Sequence, residues 1–448
     1  MAETRREQSA FDHLDPPEMD KILDCVHCGF CLPTCPTYVV LGNEMDSPRG
    51  RIYLMRSAAE GSVGITDSFV KHLDLCLVCR ACETACPSGV QYGSLIEAAR
   101  GQISRQYRAS AMDRLLRAFI LGVFTDARRL SLLLGPMRLY QRLGIQRLVR
   151  ASGVLRWFGR WGAMEALMPP LPEARQAGGF PELTPAVPPR RGRVALLLGC
   201  AQHAFFPEVN LATARVLAAN GFDVVAPRGQ GCCGSLLVHE GERERGKALA
   251  RKTIDVFEGT GADFIAINAA GCGSVMKEYG ELLRDDPRYA ERATAFGRRV
   301  QDVSQILAAV GLTGPLQPLT LRVTYHDACH LAHGQRVRDE PRSLLRAIPG
   351  LDLVELSEAD FCCGSAGVYN LLHPEVAREF LDRKLDRLAQ TGAQVVVSGN
   401  PGCLLQINLG LRQRGLPMRA AHTVELLDWA YRGVVPEIPP ATPRGGPR

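Results

Sequence analysis

The sequence predicts a multi-domain chain: an all-α N-terminal domain, a basic helical connector, and two homologous α/β domains. Three observations predict it. All 16 cysteines fall into three groups. Residues 193–310 and 322–432 repeat one another. Residues 87–199, between the first two groups, hold no cysteine and much of the arginine. The 448 residues are enough for several domains and a core without covalent staples. With 46% hydrophobic and 22% charged residues, a largely disordered chain and a coiled-coil rod are excluded. No apolar run reaches the roughly 18 residues of a spanning helix. The start has no apolar stretch of a secretory signal. The expected location is therefore cytoplasmic. A net charge of +6 is too mild to argue for a nucleic-acid partner.

The first group is Cys25, Cys28, Cys31, Cys35 and Cys76, Cys79, Cys82, Cys86. Both halves read C-x2-C-x2-C-x3-C-P, the run that holds [4Fe–4S] cubanes in ferredoxins. Three thiolates two residues apart sit on one tight loop and face one cube. The fourth starts the next helical turn, faces away, and serves the other cube. Cluster one is thus expected on Cys25, Cys28, Cys31 and Cys86, and cluster two on Cys76, Cys79, Cys82 and Cys35. Pro36 and Pro87 follow the last ligands, where proline fixes φ as the chain leaves the cluster. Zinc would need only four of these eight thiolates. His27, inside the first motif, is expected beside the site rather than on the metal.

The 40 residues between Cys35 and Cys76 exceed those of a minimal ferredoxin. Asp46 or Ser47 can cap a helix that Pro48 opens. Ile52, Leu54 and Met55, then Phe69, Val70 and Leu73, suggest two short helices. This makes the domain helical and ferredoxin-like, over residues 1–100. Arg49, Arg51 and Arg56 either offset cluster charge or form a solvated helix face.

Residues 101–190 are expected to form a basic helical connector and a Pro-rich linker that begins near Met168. Residues 100–160 carry 13 arginines against Asp113 and Asp126. Leu115, Leu116, Phe119, Ile120 and Val123, then Leu130 and Leu132 to Leu134, recur at helical spacing, and Trp157, Phe158 and Trp161 close the stretch. Such a segment suits an anionic membrane surface, an acidic partner, or a solvated connector.

The repeats define two cysteine-rich domains, 191–312 and 313–436, before a flexible tail at 437–448. The first holds Cys200, Cys232, Cys233 and Cys272; the second holds Cys329, Cys362, Cys363 and Cys403. The intervals agree: 32 and 33 residues to each cysteine pair, then 39 and 40. Candidate strands are 193–199, 222–226, 263–268, 322–326, 351–356 and 394–398, alternating with helices such as 236–257 and 374–391. The cysteines then follow strands, where α/β sheets gather ligands. Gly231 and Gly234 are expected to let the backbone approach a bulky ligand. These eight cysteines are candidate ligands for a further cluster or clusters. His326 and His330, which flank Cys329, read as satisfied polar residues.

The run from Cys25 to Tyr38, followed by Gly42 and by Asp46 to Leu54, resembles the iron–sulfur subunit of bacterial glycolate oxidase. The Cys-Cys-Gly repeats resemble the cysteine-rich domains of that subunit and of heterodisulfide reductases. The resemblance spans nearly the whole chain in the same order. It implies an electron-transfer subunit of a membrane-associated 2-hydroxy-acid dehydrogenase. Flavin, on partner subunits only, would oxidise glycolate to glyoxylate, and electrons would move toward a quinone-type or membrane acceptor. Residues 100–161 would then make a peripheral contact at the inner face of the cytoplasmic membrane. Equivalent subunits of lactate or glycerol-3-phosphate dehydrogenases, and a heterodisulfide-reductase-like catalytic subunit, are the alternatives. The absence of a G-x-G-x-x-G fingerprint after a strand fits a relay that does not bind the hydroxy acid. One departure stands out. The cysteine-rich motif usually ends in C-x2-C, but Val275 and Gln406 occupy the last position.

Overall fold

The structure is a computed structural model that describes residues 9–171, 179–435 and 437–438. The expected tail, but for residues 437 and 438, and residues 172–178 of the Pro-rich linker lie outside the described residues. The chain forms two compact units. One is Met1–Leu121 with Gly234–Gly246; the other is Gly122–Cys233 with Lys247–Arg448.

The described residues of the first unit form helices and turns only. Ser47 accepts a hydrogen bond from the Gly50 N–H (3.0 Å) and caps the helix Pro48–Ala59, with Pro48 in its first turn. A Cβ at Gly50 would collide with the Glu44 carbonyl, so glycine lets this helix press on the turn Glu44–Asp46. Thr66 caps the helix Asp67–Asp74 in the same way. Ile52, Met55, Phe69 and Leu73 bury their side chains against Leu95 and Ile96 of the helix Tyr92–Gln106. Arg100 on that helix donates to the carbonyls of Asp74 (3.0 Å) and Cys76 (2.7 Å), fixing the chain just before the second cysteine motif.

The second unit contains two sheets. Its strands are β1 (Leu183–Thr184), β2 (Gly192–Leu196), β3 (Phe222–Val225), β4 (Phe264–Ile267), β5 (Val300–Asp302), β6 (Arg322–Tyr325), β7 (Asp352–Val354), β8 (Val395–Val397) and β9 (Arg419–Ala421). The first sheet runs β1-β3-β2-β4-β5 and the second β7-β6-β8-β9. Without β1, an antiparallel addition, the orders correspond strand for strand, and the remaining pairs are parallel. Equivalent registers, Val194 opposite Phe264 and Val323 opposite Val395, reinforce the duplication. Helices on both faces explain why the central strands are apolar without alternation; Val395, Val396 and Val397 are all fully buried.

The expected strands are present, some shorter at their ends, and the helix at 374–391 is Pro374–Thr391. The helix expected at 236–257 is broken into Ser235–His239 and Arg243–Glu258. Gly241 takes φ +83° there, and a Cβ on it would strike the Arg100 carbonyl. A left-handed residue cannot continue a right-handed helix.

Part of the basic connector packs on the first repeat. Asp126 caps the helix Ala127–Arg142, accepting from the N–H groups of Arg128 and Arg129. Leu130 and Leu134 on its inner face meet Ala204 and Phe205, and Phe124 stacks on Phe205. One apolar core runs through both repeats, from Val194 and Leu217 to Leu345 and Leu427. Arg215 grips Asp428 with two parallel hydrogen bonds (2.7 and 2.8 Å).

His422 joins the repeats too. Its Nδ1 accepts from the Val424 N–H, so its Nε2 donates to the Asn268 carbonyl (2.9 Å). Burial lowers its pKa to about 4, outweighing the opposing effect of that carbonyl. Because the folded value lies below the ordinary 6.5, this group's stability is complete above pH 6.5 and is lost as pH falls through 4. The loss is on the order of 3 kcal/mol. His422→Asn, which keeps a capping side chain, is expected to cost about 1–2 kcal/mol at pH 7. Urea unfolding at several pH values should show that gap closing and then reversing as pH falls from 6.5 to 4.

Candidate metal centres

The two cysteine motifs of the first unit adopt the same backbone. The third and fifth residues of each are left-handed: His27 and Gly29 in one, Val78 and Arg80 in the other, with φ of 55°, 88°, 52° and 62°. This conformation is unfavourable for a β-branched residue such as Val78. Strain repeated at the same place in both motifs marks a functional loop. Such turns point successive N–H groups inward at an anion; the Val78 N–H donates to Cys76 Sγ (3.4 Å). At Gly29 a Cβ would lie 2.8 Å from Arg49 Nη1.

Each loop closes on a cavity that also receives a cysteine from the other loop. The first cavity is lined by Cys25, Cys28, Cys31 and Cys86, and touches Cys82. The second is lined by Cys35, Cys76, Cys79 and Cys82. Cys35 is the N-cap of the helix Pro36–Leu41, so the proline after it is the first helical residue. Cys86 follows the helix Ala81–Thr84 and opens no helix. Both cavities thus combine three thiols from one motif with the fourth from its partner. Burial pushes Cys31 up to about 11 and raises Cys25 and Cys82. Ionising such thiols together requires a cation among them, which is what iron in a cluster supplies.

The three arginines of the intervening segment divide by position. Arg56 is exposed and pairs with Glu60. Arg49 holds Glu44 with Nε and Nη2 and donates from Nη1 to the His27 carbonyl, beside the first cavity. Arg51 is fully buried and lines the second cavity. Its Nε donates to the His72 carbonyl (2.7 Å) and its Nη1 to Thr37 Oγ1 (3.1 Å). Asp46 stands 3.6 Å from its Nη2 and pairs with His72 Nδ1 at 2.8 Å. Burial opposes the Arg51 charge, but Cys76, Tyr92, Cys35 and Asp46 keep its pKa above the ordinary value. Nη2 has no hydrogen-bond partner of good geometry, leaving a donor in the wall of the thiol-lined cavity. His27 is exposed and packs edge-on against Tyr53.

In the second unit the cysteines follow the carboxyl ends of parallel strands, as expected. Cys200 follows β2, Cys232 and Cys233 follow β3, and Cys272 lies on the helix Ala270–Lys277 after β4. Cys329, Cys362, Cys363 and Cys403 repeat this after β6, β7 and β8. The thiols meet in the same sequence in both copies. Contacts run Cys200–Cys232–Cys233–Cys272 in one and Cys329–Cys362–Cys363–Cys403 in the other. All sixteen cysteines are free of disulfides. The glycine after each pair, Gly234 or Gly364, has φ +84°. Gly231 has ordinary φ and open space where a Cβ would stand, so only Gly234 of the two glycines takes the left-handed turn.

Comparison with known proteins matches four segments of the chain to three family models. Residues 21–90 match the family "4Fe-4S dicluster domain". Residues 112–168 match "Glycolate oxidase iron-sulfur subunit, linker region". Residues 194–277 and 323–408 each match "Cysteine-rich domain". The chain is 40% identical over 435 residues to the "Probable glycolate oxidase iron-sulfur subunit" of Bacillus subtilis, covering 95% of this chain and 98% of that one. It is 37% identical over 399 residues to the "Glycolate oxidase iron-sulfur subunit" of Escherichia coli, covering 86% and 90%. The chain belongs to the family of glycolate oxidase iron–sulfur subunits. A subunit of the CoM/CoB fumarate reductase of Methanothermobacter marburgensis is a more distant relative, 29% identical over 425 residues, covering 93% of this chain and 74% of that one.

Membership makes this an iron–sulfur protein with an N-terminal dicluster domain and two cysteine-rich repeats. Within that frame, the stretch Asp46–Arg51 has a structural reason at nearly every position: an anion for His72, a cap, a first-turn proline, a glycine at a close approach, and a buried cation. Arg51→Gln removes the cation from the wall of the second cavity. With less positive charge nearby, the reduced form of a cluster there is disfavoured. Redox titration followed by EPR should show one midpoint potential moving to more negative values, while Arg56→Gln leaves both unchanged.

Proposed function

We propose that the chain is the electron-transfer subunit of a complex that oxidises glycolate to glyoxylate on separate flavin subunits. Cys25, Cys28, Cys31 and Cys86 would hold one [4Fe–4S] cluster, and Cys76, Cys79, Cys82 and Cys35 a second. The observation that carries this reading is the exchange of the fourth cysteine between the two thiol-lined cavities. When bound, such clusters supply one-electron steps between a flavin and a quinone-type acceptor. The chain's own task is to ligate, to insulate and to tune. Tyr92 is buried, lines both cavities, and directs its hydroxyl to Cys76 Sγ (3.5 Å).

The two cavities differ in exposure. At the first, Cys28 is exposed, and Val26 and Phe30 beside it are 68% and 65% exposed. At the second, Cys35, Cys76 and Cys82 are buried. Electron exchange with a partner favours the side where little protein intervenes, and an apolar rim suits docking. The first motif is therefore the proposed contact for a redox partner.

A peripheral membrane contact is proposed for residues 100–161. Leu132, Leu148 and Trp157 are 77%, 71% and 88% exposed, among the exposed arginines Arg128, Arg129, Arg142 and Arg147. Exposed apolar groups among cations suit an anionic lipid surface. No helix among the described residues is long and apolar enough to cross a membrane. The proposed site is the inner face of the cytoplasmic membrane, where the quinone-type acceptor would be reached. The proposed domain limits are 1–100, 101–190, 191–312 and 313–436. The eight cysteines of the repeats are proposed as ligands of further iron.

Anaerobic iron and sulfide analysis of the full chain tests the ligand sets. Cys86→Ser is expected to remove about four irons. Cys363→Ser should remove a smaller, separate share while the dicluster EPR signals persist. About eight irons, unchanged in Cys232→Ser and Cys363→Ser, would confine the metal to residues 25–86. Phe30→Asp should leave iron content as it was and slow reduction of the chain by the flavin subunits at least several-fold; an unchanged rate places the contact elsewhere.

A further inference from the structure

The two cysteine-rich sites share their thiol sequence but not their remaining donor. Aligning Cys200 with Cys329 puts Leu197 opposite His326. Leu197 is a buried apolar residue, so this position offers the first site no ligand. His326, fully buried, is the residue directly after β6, and its backbone N–H is tied to the Val397 carbonyl (2.8 Å). A ring nitrogen of His326 and the sulfurs of Cys363 and Cys403 all lie within 4.8 Å of one another. Neither ring nitrogen has a hydrogen bond of good geometry, although the ring is near enough to Cys363 to favour its thiolate. A fully buried imidazole that faces sulfur and has no hydrogen bond of good geometry is costly unless it serves as a ligand.

The position where the cysteine-rich motif usually has its last cysteine is closed in both copies. Val275 is buried and apolar. Gln406 is also buried, and its Oε1 accepts from Asn370 Nδ2 (2.8 Å). In the second copy the vacated ligand role can instead be filled from the strand end.

We propose that His326 is a nitrogen ligand of an iron–sulfur centre held by Cys329, Cys362, Cys363 and Cys403, whereas the first copy offers sulfur alone. This rests on the reading above that the repeats hold iron. Imidazole is a neutral donor and thiolate an anion, so replacing a thiolate with an imidazole raises the potential of an iron–sulfur centre. A thiolate placed at position 326 would therefore lower the potential of the second centre.

Pulsed EPR of the reduced full chain tests this, on protein grown with natural or 15N-labelled histidine. The expected result is a strong nitrogen coupling that changes isotope with the label. It should vanish in His326→Ala and persist in His330→Ala and His333→Ala. His326→Cys covers the case in which the alanine variant fails to load: iron is kept, the nitrogen coupling is lost, and one midpoint potential moves to more negative values. Iron that depends on Cys363 without any histidine coupling, or a coupling that survives in His326→Ala, overturns the ligand assignment and leaves iron in the repeats standing. Iron unaffected by Cys363→Ser overturns both.

Discussion

A guanidinium sealed from water dictates much of the first unit. Arg51 can stay charged there only among groups that welcome a cation: the Asp46 carboxylate, the His72 carbonyl, the Thr37 hydroxyl and the sulfurs of Cys35 and Cys76. Breaking such an arrangement by removing one partner leaves an uncompensated charge, which costs several kcal/mol. The capped helix Pro48–Ala59, the close approach at Gly50, and the Asp46–His72 pair all serve to present that charge to one cavity. The long insert between the two cysteine motifs is thus the scaffold of a single buried cation.

The second unit solves a different problem by duplication. Each repeat places its cysteines after the ends of parallel strands, and one hydrophobic core unites the two sheets. Shared architecture fixes where the thiols meet. Local substitutions then set what each meeting point can do. Cys329 and Cys363 are shifted toward the thiolate, chiefly by hydrogen bonds from neighbouring thiols and then by His330 and His326. Their partners Cys362 and Cys403 are shifted the other way by the same hydrogen bonds and by burial. In the first copy Cys200 is raised by its hydrogen bond with Cys232 and by burial, and Cys233 is raised by its hydrogen bond with Cys272 and by burial.

Much of this was legible in the sequence because the signals were local or strictly periodic. Strands such as Val395–Val397 are continuous apolar runs, as sheets covered on both faces require. The cap at Ser47 and the proline after it are read directly from composition and spacing. Strands β5 and β9 escaped, since three-residue edge strands with Gln301 or Arg419 in them carry no pattern. The break at Gly241 escaped because its cause is the carbonyl of a residue far away in the chain. The fate of Arg51 was undecidable for a similar reason: a charge on a helix reads the same whether the opposite surface is solvent or sulfur. The surroundings of His326 escaped because the sulfurs it faces come from other strand ends.

The swap of the fourth cysteine has a consequence for biogenesis. Under the proposed ligand sets, neither cage can be completed by one cysteine motif alone, and the earlier loop waits for Cys86. Iron delivery to the first cage is therefore a late event. By the same logic, damage that strips one cage also releases a cysteine on its neighbour's loop.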